Sequence, residues 1–243
     1  MSIEKNISII QNFVCTLDSR KQMITENLPR MAEVFKDVNF YVNYNTPKNL
    51  EYIKKLYEDN VQNLYFNYST SRDWGLDTIK LLEKVTTPYV AYLCEDFEYH
   101  SGREDWEELV SEALIDAKVD FVMLAKIEKY SNTLNWPSLY KKRGKSCIFY
   151  NSKSSPSKVM SIDAIYKKEF LLERLIEYTK LYSYHLPNNY ETYYKNDNSL
   201  RRFDVECAVP SKVLLYHHPR TVDGNEAKDE DLCSTRPLGR KND

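Results

Sequence analysis

The stretch "PYVAYLCEDFEYHSGREDW", Pro88 to Trp106, joins an apolar run to a group of acids and then to a polar, helix-like segment. Tyr89 to Leu93 is apolar throughout, as a parallel strand covered on both faces should be. Glu95, Asp96 and Glu98 follow at once, where such a strand would leave the core. Ser101 and Glu104 then have capping-box spacing, and Trp106, Leu109, Val110 and Ala113 recur at helical intervals as a buried stripe. The unit is a strand that delivers carboxylates to an edge and a helix that leads away from it.

The same alternation extends outward on both sides. Ile7 to Val14, Val38 to Val42, Leu64 to Tyr68 and Phe121 to Ala125 read as further strands. Between them Ile24, Leu28, Met31 and Phe35 mark one helical face, with Pro29 predicting a kink or a late start. Thr46-Pro47 predicts the cap and first residue of a second helix that turns Leu50, Ile53 and Tyr57 inward. A third helix runs from about Gly75 through Ile79 and Leu82. Beyond Ser131 the pattern loosens, with a short hairpin expected around Cys147 to Tyr150, a helix over Ile162 to Ile176 and a strand over Lys212 to Tyr216. The segment after Pro219 reads as a mobile tail.

Strands alternating with helices predict an α/β fold: a doubly wound, mostly parallel central sheet flanked by helices, with a smaller second subregion. In such sheets ligands bind outside the carboxyl ends of the strands. Those ends carry Asn12, then Asn43 and Asn45, then "STSRDWG", then Glu95, Asp96 and Glu98. Topology therefore gathers amides, an arginine and carboxylates on one rim.

Bulk composition narrows the classes. Lys plus Arg number 34 against 36 for Asp plus Glu, so no global field favours nucleic acid. No apolar run approaches the roughly 20 residues of a membrane span. The opening MSIEKNISII lacks the apolar stretch of a signal peptide. Cys15, Cys94, Cys147, Cys207 and Cys233 are scattered without a CxxC pair, which fits a reducing cytoplasm better than a disulfide framework. Twenty tyrosines supply apolar faces with polar tips, suited to sugar surfaces and to ordinary sheets alike.

Several segments resemble family 2 glycosyltransferases, which have the GT-A fold. "SRDWGL", Ser71 to Leu76, is similar to that family's Ala-Arg-Asn-x-Gly-hydrophobic segment; Arg72 and Gly75 keep the pattern and Asp73 stands where asparagine is usual. "TTPYVAYLCEDFE" resembles its apolar strand followed by Asp-x-Asp, here altered to Glu95-Asp96-Phe97-Glu98. "HLPNNYET" and "VLLYHHP" look like its later acceptor-side acid and terminal histidine. The resemblance spans roughly residues 6 to 219. It implies a nucleotide-sugar-binding half over 1–130, an acceptor-binding half over 131–219, and a tail over 220–243.

What the resemblance implies chemically is transfer of a sugar from a nucleotide-diphosphate donor to a hydroxyl of a glycan or lipid-linked glycan, metal-assisted and inverting. Mg²⁺ or Mn²⁺ prefers oxygen ligands and stabilises a departing diphosphate, which assigns Asp96 and Glu98 to the metal, with His217 or His218 beside them. Arg72 suits phosphate or sugar, with Asp73, Gly75 and Glu95 lining the same donor site. Asn12, Asn43 and Asn45 both donate and accept, as a base and ribose require. Inversion needs a base for the acceptor proton: the resemblance points to Glu191, with Asp163 as second choice. Tyr190, Tyr193, Tyr194 and Trp136 are the candidates for stacking on acceptor sugars.

Ordinary structural readings stand beside these. The acids could be a solvated turn favouring the following helix, Arg72 a surface ion pair, His217 and His218 structural, and Glu191 a solvated acid. A GT-A-like nucleotide- or glycan-binding protein without catalysis, with Phe97 as the lesion, is the alternative. A receiver-type signalling domain fits less well, since its acids follow the first strand and that position here reads Gln11-Asn12-Phe13.

Overall fold

The computed structural model describes residues 2–71, 73–95, 97–99, 101–126, 142–154, 163–181 and 202–217, with backbone alone at 97, 98, 125, 126, 142, 154, 216 and 217. Strand and helix alternate through β1 (Ile7–Phe13), α1 (Asp18–Val34), β2 (Asn39–Tyr44), α2 (Leu50–Asn60), β3 (Asn63–Tyr68), α3 (Trp74–Lys84) and β4 (Tyr89–Tyr92). Then come β5 (Phe97–Tyr99) and α4 (Arg103–Leu109), which continues in π-helical form over Val110–Asp116, followed by β6 (Phe121–Met123) and β7 (Ala125–Lys126). The remaining elements are β8 (Lys142–Arg143), β9 (Cys147–Asn151), β10 (Ala164–Lys167), α5 (Lys168–Leu181), β11 (Glu206–Pro210) and β12 (Leu215–His217).

Nine strands form one sheet in the order β3-β2-β1-β4-β10-β6-β11-β9-β8, and β5-β12-β7 form a second. Among the described residues β10 and β9 run against the other strands of the large sheet, so the expected mostly parallel, doubly wound architecture holds. Every residue of β1 and β4 is buried, because both faces of the sheet are covered. One face packs Ile7, Ile9 and Phe13 against Ile24, Leu28 and Met31 of α1, Ile53 and Tyr57 of α2 and Trp106 of α4. The other packs Ile10, Val90 and Tyr92 against Trp74 and Leu81 of α3 and Phe170 and Leu175 of α5. Period-2 strands between amphipathic helices leave no other arrangement that buries both sets.

Several expectations are corrected, each because a tertiary contact outweighs a local signal. The segment expected as a helix from Ile162 begins as β10: Ala164, Ile165 and Tyr166 are fully buried between β4 and β6, a place suited to a β-branched and aromatic run. Helix α5 starts only at Lys168. A strand at Glu206–Pro210 was not expected, and the later one shortens to Leu215–His217 and joins the small sheet. The fifth strand divides at Leu124 between the two sheets. Helix α1 begins well ahead of Pro29, which lies inside it, so proline does not mark a late start.

Two caps also differ. Helix α2 is capped by Asn49 in the left-handed region (φ 58), not by Thr46, and Pro47 belongs to the preceding turn. Asparagine tolerates that conformation, and its Nδ2 donates to Cys15 O at 3.1 Å, which ties the turn to the end of β1. Helix α4 has Gly102 at its N-cap, while Ser101 Oγ donates to Leu214 O rather than closing a capping box.

The expected hairpin is present as β8–β9, and Glu112 on the π-helical turn anchors it. Its carboxylate accepts from Lys145 N, Ser146 N and Ser146 Oγ at 2.7, 2.6 and 2.5 Å. Burial works against the charge, but these hydrogen bonds outweigh it and hold the carboxyl below its ordinary 4.5. A folded-state value below the unfolded one stabilises the fold above about pH 4.5 and is lost as pH falls through the lowered value. A methyl at Gly144 would lie 1.9 Å from Glu112 Oε1. Gly144→Ala is therefore expected to eject the carboxylate and cost about 1.5–3 kcal/mol, and to cost much less in a Glu112→Ala background. Urea denaturation of both single variants and the double variant at pH 7, repeated below pH 4.5, checks the coupling and its sign.

Candidate functional site

The carboxyl ends of β1 to β4 and the amino end of the reversed β10 share one edge of the large sheet. Backbone pairing continues just past the strands: Asn45 N donates to Phe13 O at 3.2 Å, Ser69 N to Tyr44 O at 3.0 Å, and Leu93 N to Ile10 O at 3.1 Å. The rim is therefore a continuous, hydrogen-bonded shelf.

Asn12, Asn43 and Asn67 occupy matching positions on β1, β2 and β3. Their amides form a ladder in which Asn67 Nδ2 donates to Asn43 Oδ1 at 2.5 Å and Asn43 Nδ2 to Asn12 Oδ1 at 3.1 Å. Asn12 Nδ2 donates onward to Trp74 O at 3.0 Å and Thr78 Oγ1 at 2.9 Å, at the start of α3. Asn45 closes the group, accepting from Asn43 at 2.5 Å and donating to Asn12 at 2.7 Å. Asn12 is 7% exposed and Asn43 1%, while Asn45 and Asn67 are half-buried. The first two hold the shelf from behind, and Asn45 and Asn67 carry it to the surface. Asn67 and Thr78 were not anticipated from the sequence.

The loop from β3 to α3 is drawn tight by its own polar groups. Ser71 N donates to Ser69 Oγ at 3.0 Å and Asp73 N to Ser71 Oγ at 3.1 Å. Asp73 caps α3, its Oδ1 accepting from Leu76 N at 2.9 Å, and Gly75 is buried in the first turn. Arg72 lies outside the described residues, but both its neighbours are on the rim. Trp74 Nε1 donates to Tyr92 OH at 2.7 Å, which joins this loop to the end of β4.

Past β4, Glu95 is 6% exposed and ion-paired with Arg20 of α1, Nη1 to Oε1 at 2.5 Å. Cys94 N donates to Asp163 Oδ1 at 3.1 Å, and Asp163, 7% exposed, immediately precedes β10. Arg20 was missed, since nothing local to residues 17–21 announces a partner so distant in the chain. The Cys15 thiol, beneath this corner, is pushed up to about 12 by burial and then by the Glu95 charge, so it stays protonated and is no thiolate nucleophile.

Backbone register in the small sheet pairs His217 with Phe97 and Tyr216 with Glu98, so the acidic segment and the terminal histidine share one sheet. Asp96, Glu191, His218, Trp136, Tyr190, Tyr193 and Tyr194, and the side chains of Glu98 and His217, lie outside the described residues. Among the described residues no three His, Cys, Asp or Glu side chains converge as a metal site. Glu95 is engaged by Arg20 and Asp163 by the Cys94 amide.

No protein-family model matches the chain, and no curated protein matches it in sequence. Solved structures do match. Staphylococcus aureus TarS superposes with a TM-score of 0.58 at 14% identity, over 88% of this chain and 36% of TarS; its 1-349 fragment in complex with UDP-GlcNAc gives 0.57 at 15%, over 87% and 58%. The mannosyltransferase PcManGT from Pyrobaculum calidifontis, in complex with GDP-Man and Mn²⁺, gives 0.55 at 16%, over 87% and 56%. CMP:2-keto-3-deoxy-manno-octonic acid synthetase complexed with CTP gives 0.50 at 11%, over 91% of this chain and 97% of that one. The fold is that of the nucleotide-diphospho-sugar transferases, of GT-A type. The chain spans little more than a third of TarS and somewhat over half of PcManGT.

Proposed function

We propose that the chain is a glycosyltransferase that moves a sugar from a nucleotide-diphosphate donor to a hydroxyl of a glycan or glycoconjugate, lipid-linked glycans included. One observation carries the reading: the ladder, the Ser69–Asp73 loop and the Glu95 turn meet on one edge of a GT-A-type sheet. Structures of this fold in complex with UDP-GlcNAc and with GDP-Man and Mn²⁺ support a nucleotide-sugar donor, and the carboxyl-end rule for such sheets favours that edge for it.

In this reading Asn45 meets the base or ribose while Asn12 and Asn43 fix it. Arg72 meets phosphate or sugar, with Asp73 and Gly75 shaping its loop and Glu95 holding the floor. Residues 1–130 form the donor half and 131–219 the acceptor half, with 220–243 a tail. By donor chemistry Asp96, Glu98 and His217 suit Mn²⁺ or Mg²⁺. The pairing of β5 with β12 sets His217 opposite Phe97, on the other face of that ladder from Glu98, so the two carboxylates are the ligands and His217 joins them only from beyond the end of its strand. When bound, the ion neutralises charge developing on the diphosphate. Glu191 takes the acceptor proton as that oxygen attacks the anomeric carbon and the nucleoside diphosphate leaves, which inverts the centre. Tyr190, Tyr193, Tyr194 and Trp136 stack on the acceptor. No described helix is long and apolar enough to cross a membrane; a place in the cytoplasm, reaching a lipid-linked acceptor at the inner face of a membrane, fits the reading.

The likeness to the CTP-bound synthetase, which this chain nearly covers, favours a second reading, nucleotidyl transfer. The two differ in what leaves: a nucleoside diphosphate from a sugar nucleotide, or pyrophosphate from a nucleoside triphosphate. Incubation with UDP-, GDP-, CDP- and TDP-sugars and Mn²⁺ is expected to release nucleoside diphosphate from one of them.

A further inference from the structure

Among the described residues Glu95 and Asp163 are buried carboxylates flanking the end of β4, and both act on the same short turn, one from just ahead of β10 and one through α1. The β4 ladder ends at Tyr92, paired with Ala164, and Leu93 still finds Ile10 O. Cys94 lies past the last ladder pair of β4, and Asp163 Oδ1 accepts from its N–H at 3.1 Å. One residue on, the Glu95 side chain is met by Arg20 of α1 at 2.5 Å, with the Glu95 side chain 4% exposed and Arg20 23%. Tyr99 and Gln11 line the narrow cleft beside Glu95, and the Tyr57 hydroxyl donates to Gln11 Oε1 at 2.6 Å. Desolvating two carboxylates is unfavourable, and an apolar pair of similar volume is often no less stable than a buried ion pair. Stability alone therefore does not account for two such groups on a turn of two residues.

We propose that Arg20 and Asp163 are positioning residues that clamp the Cys94–Glu95 turn, Asp163 through the backbone and Arg20 through Glu95, and so fix the approach of Asp96, the next residue in the chain, to the donor diphosphate. The inference rests on the transferase reading, because it takes Asp96 to act on the donor. It assigns Asp163 a role behind the site: a carboxylate that is 7% exposed and already accepts a backbone N–H is poorly placed to take a proton from an acceptor hydroxyl.

The test uses the full chain with two independent readouts. Hydrogen–deuterium exchange of the 93–99 segment is expected to quicken by about tenfold or more in Asp163→Ala and in Arg20→Met, with the rest of the sheet unchanged, because only a local opening is released. Catalytic efficiency toward the donor is expected to fall by about tenfold to a hundredfold, since misplacement by about an ångström suffices for that. Asp163→Asn keeps an acceptor oxygen and Arg20→Lys keeps the charge, so both should recover much of each loss. Arg20→Met combined with Glu95→Met removes the stranded charge, keeps the fold, and should remain slow. Unchanged exchange at 93–99, or a loosening spread over the whole sheet, overturns the clamp. A double variant with wild-type turnover overturns its catalytic purpose. If the wild-type chain turns over no sugar nucleotide, the transferase reading fails, and exchange still reports separately whether the clamp exists.

Discussion

Asp96→Ala is expected to lower sugar transfer by a factor of about 10²–10³ or more, the range seen when one preorganised electrostatic group is removed from an active site, while the protein stays folded. Glu95 is not available to replace it, being buried and committed to Arg20. The Phe97 side chain offers no ligand atom. In the proposed reading Asp96 and Glu98 are then the oxygen donors of the motif, two positions apart. Asp96→Asn keeps size and hydrogen bonding but removes charge, and should lose nearly as much rate as alanine, with a raised Mn²⁺ requirement. Glu98→Gln should lose less. Release of nucleoside diphosphate as a function of Mn²⁺ concentration, alongside thermal unfolding, measures both effects. Wild-type rates in Asp96→Ala would reduce the acidic cluster to a solvated turn.

The largest effect on stability is expected at Asn12. Its side chain takes part in four hydrogen bonds, donating to Trp74 O and Thr78 Oγ1 and accepting from Asn43 and Asn45. Asn12→Leu keeps the volume but leaves Asn43, 1% exposed, with a buried N–H and no partner in that direction. Stranding buried donors costs about 1–3 kcal/mol each, so a loss of about 3 kcal/mol is expected, or roughly 6–12 °C in Tm for a chain of this size. Asn67→Ala removes only the first rung, which is half-buried, and should cost about 1 kcal/mol or less. A calorimetric series over Asn12, Asn43 and Asn67 should fall in that order. Equal losses along the ladder would show that it is not a directional chain anchored on α3.

Much of this rim was legible in the sequence. The apolar runs with turn residues between them located β1 to β4, and the rule that ligands sit at carboxyl ends then assembled Asn12, Asn43 and Asn45 with the Ser69–Asp73 loop and Glu95. The ladder had a signature as well: β1, β2 and β3 end in Asn-Phe, Asn-Tyr and Asn-Tyr. An amide recurring one step before the end of three adjacent parallel strands is an in-register row, and Asn67 follows from it. Other features were decided by contacts that no local window contains. Ala164 to Tyr166 reads as the start of a helix until β4 and β6 enclose it. Ser101 has capping spacing, yet its hydroxyl goes to Leu214. Asn49 displaces Thr46 as a cap because Cys15 O waits for its amide. Arg20 and Asp163 meet the Cys94–Glu95 turn from far along the chain, and only the folded sheet makes them neighbours.

The central claim, that this edge binds and activates a nucleotide-diphosphate sugar, is tested most directly by turnover with product identification. Wild-type chain with Mn²⁺ and each of UDP-, GDP-, CDP- and TDP-sugars should release the matching nucleoside diphosphate from one donor, faster with acceptor glycan present, and Asp96→Ala should not. No diphosphate from any donor, or pyrophosphate from a nucleoside triphosphate instead, would contradict it.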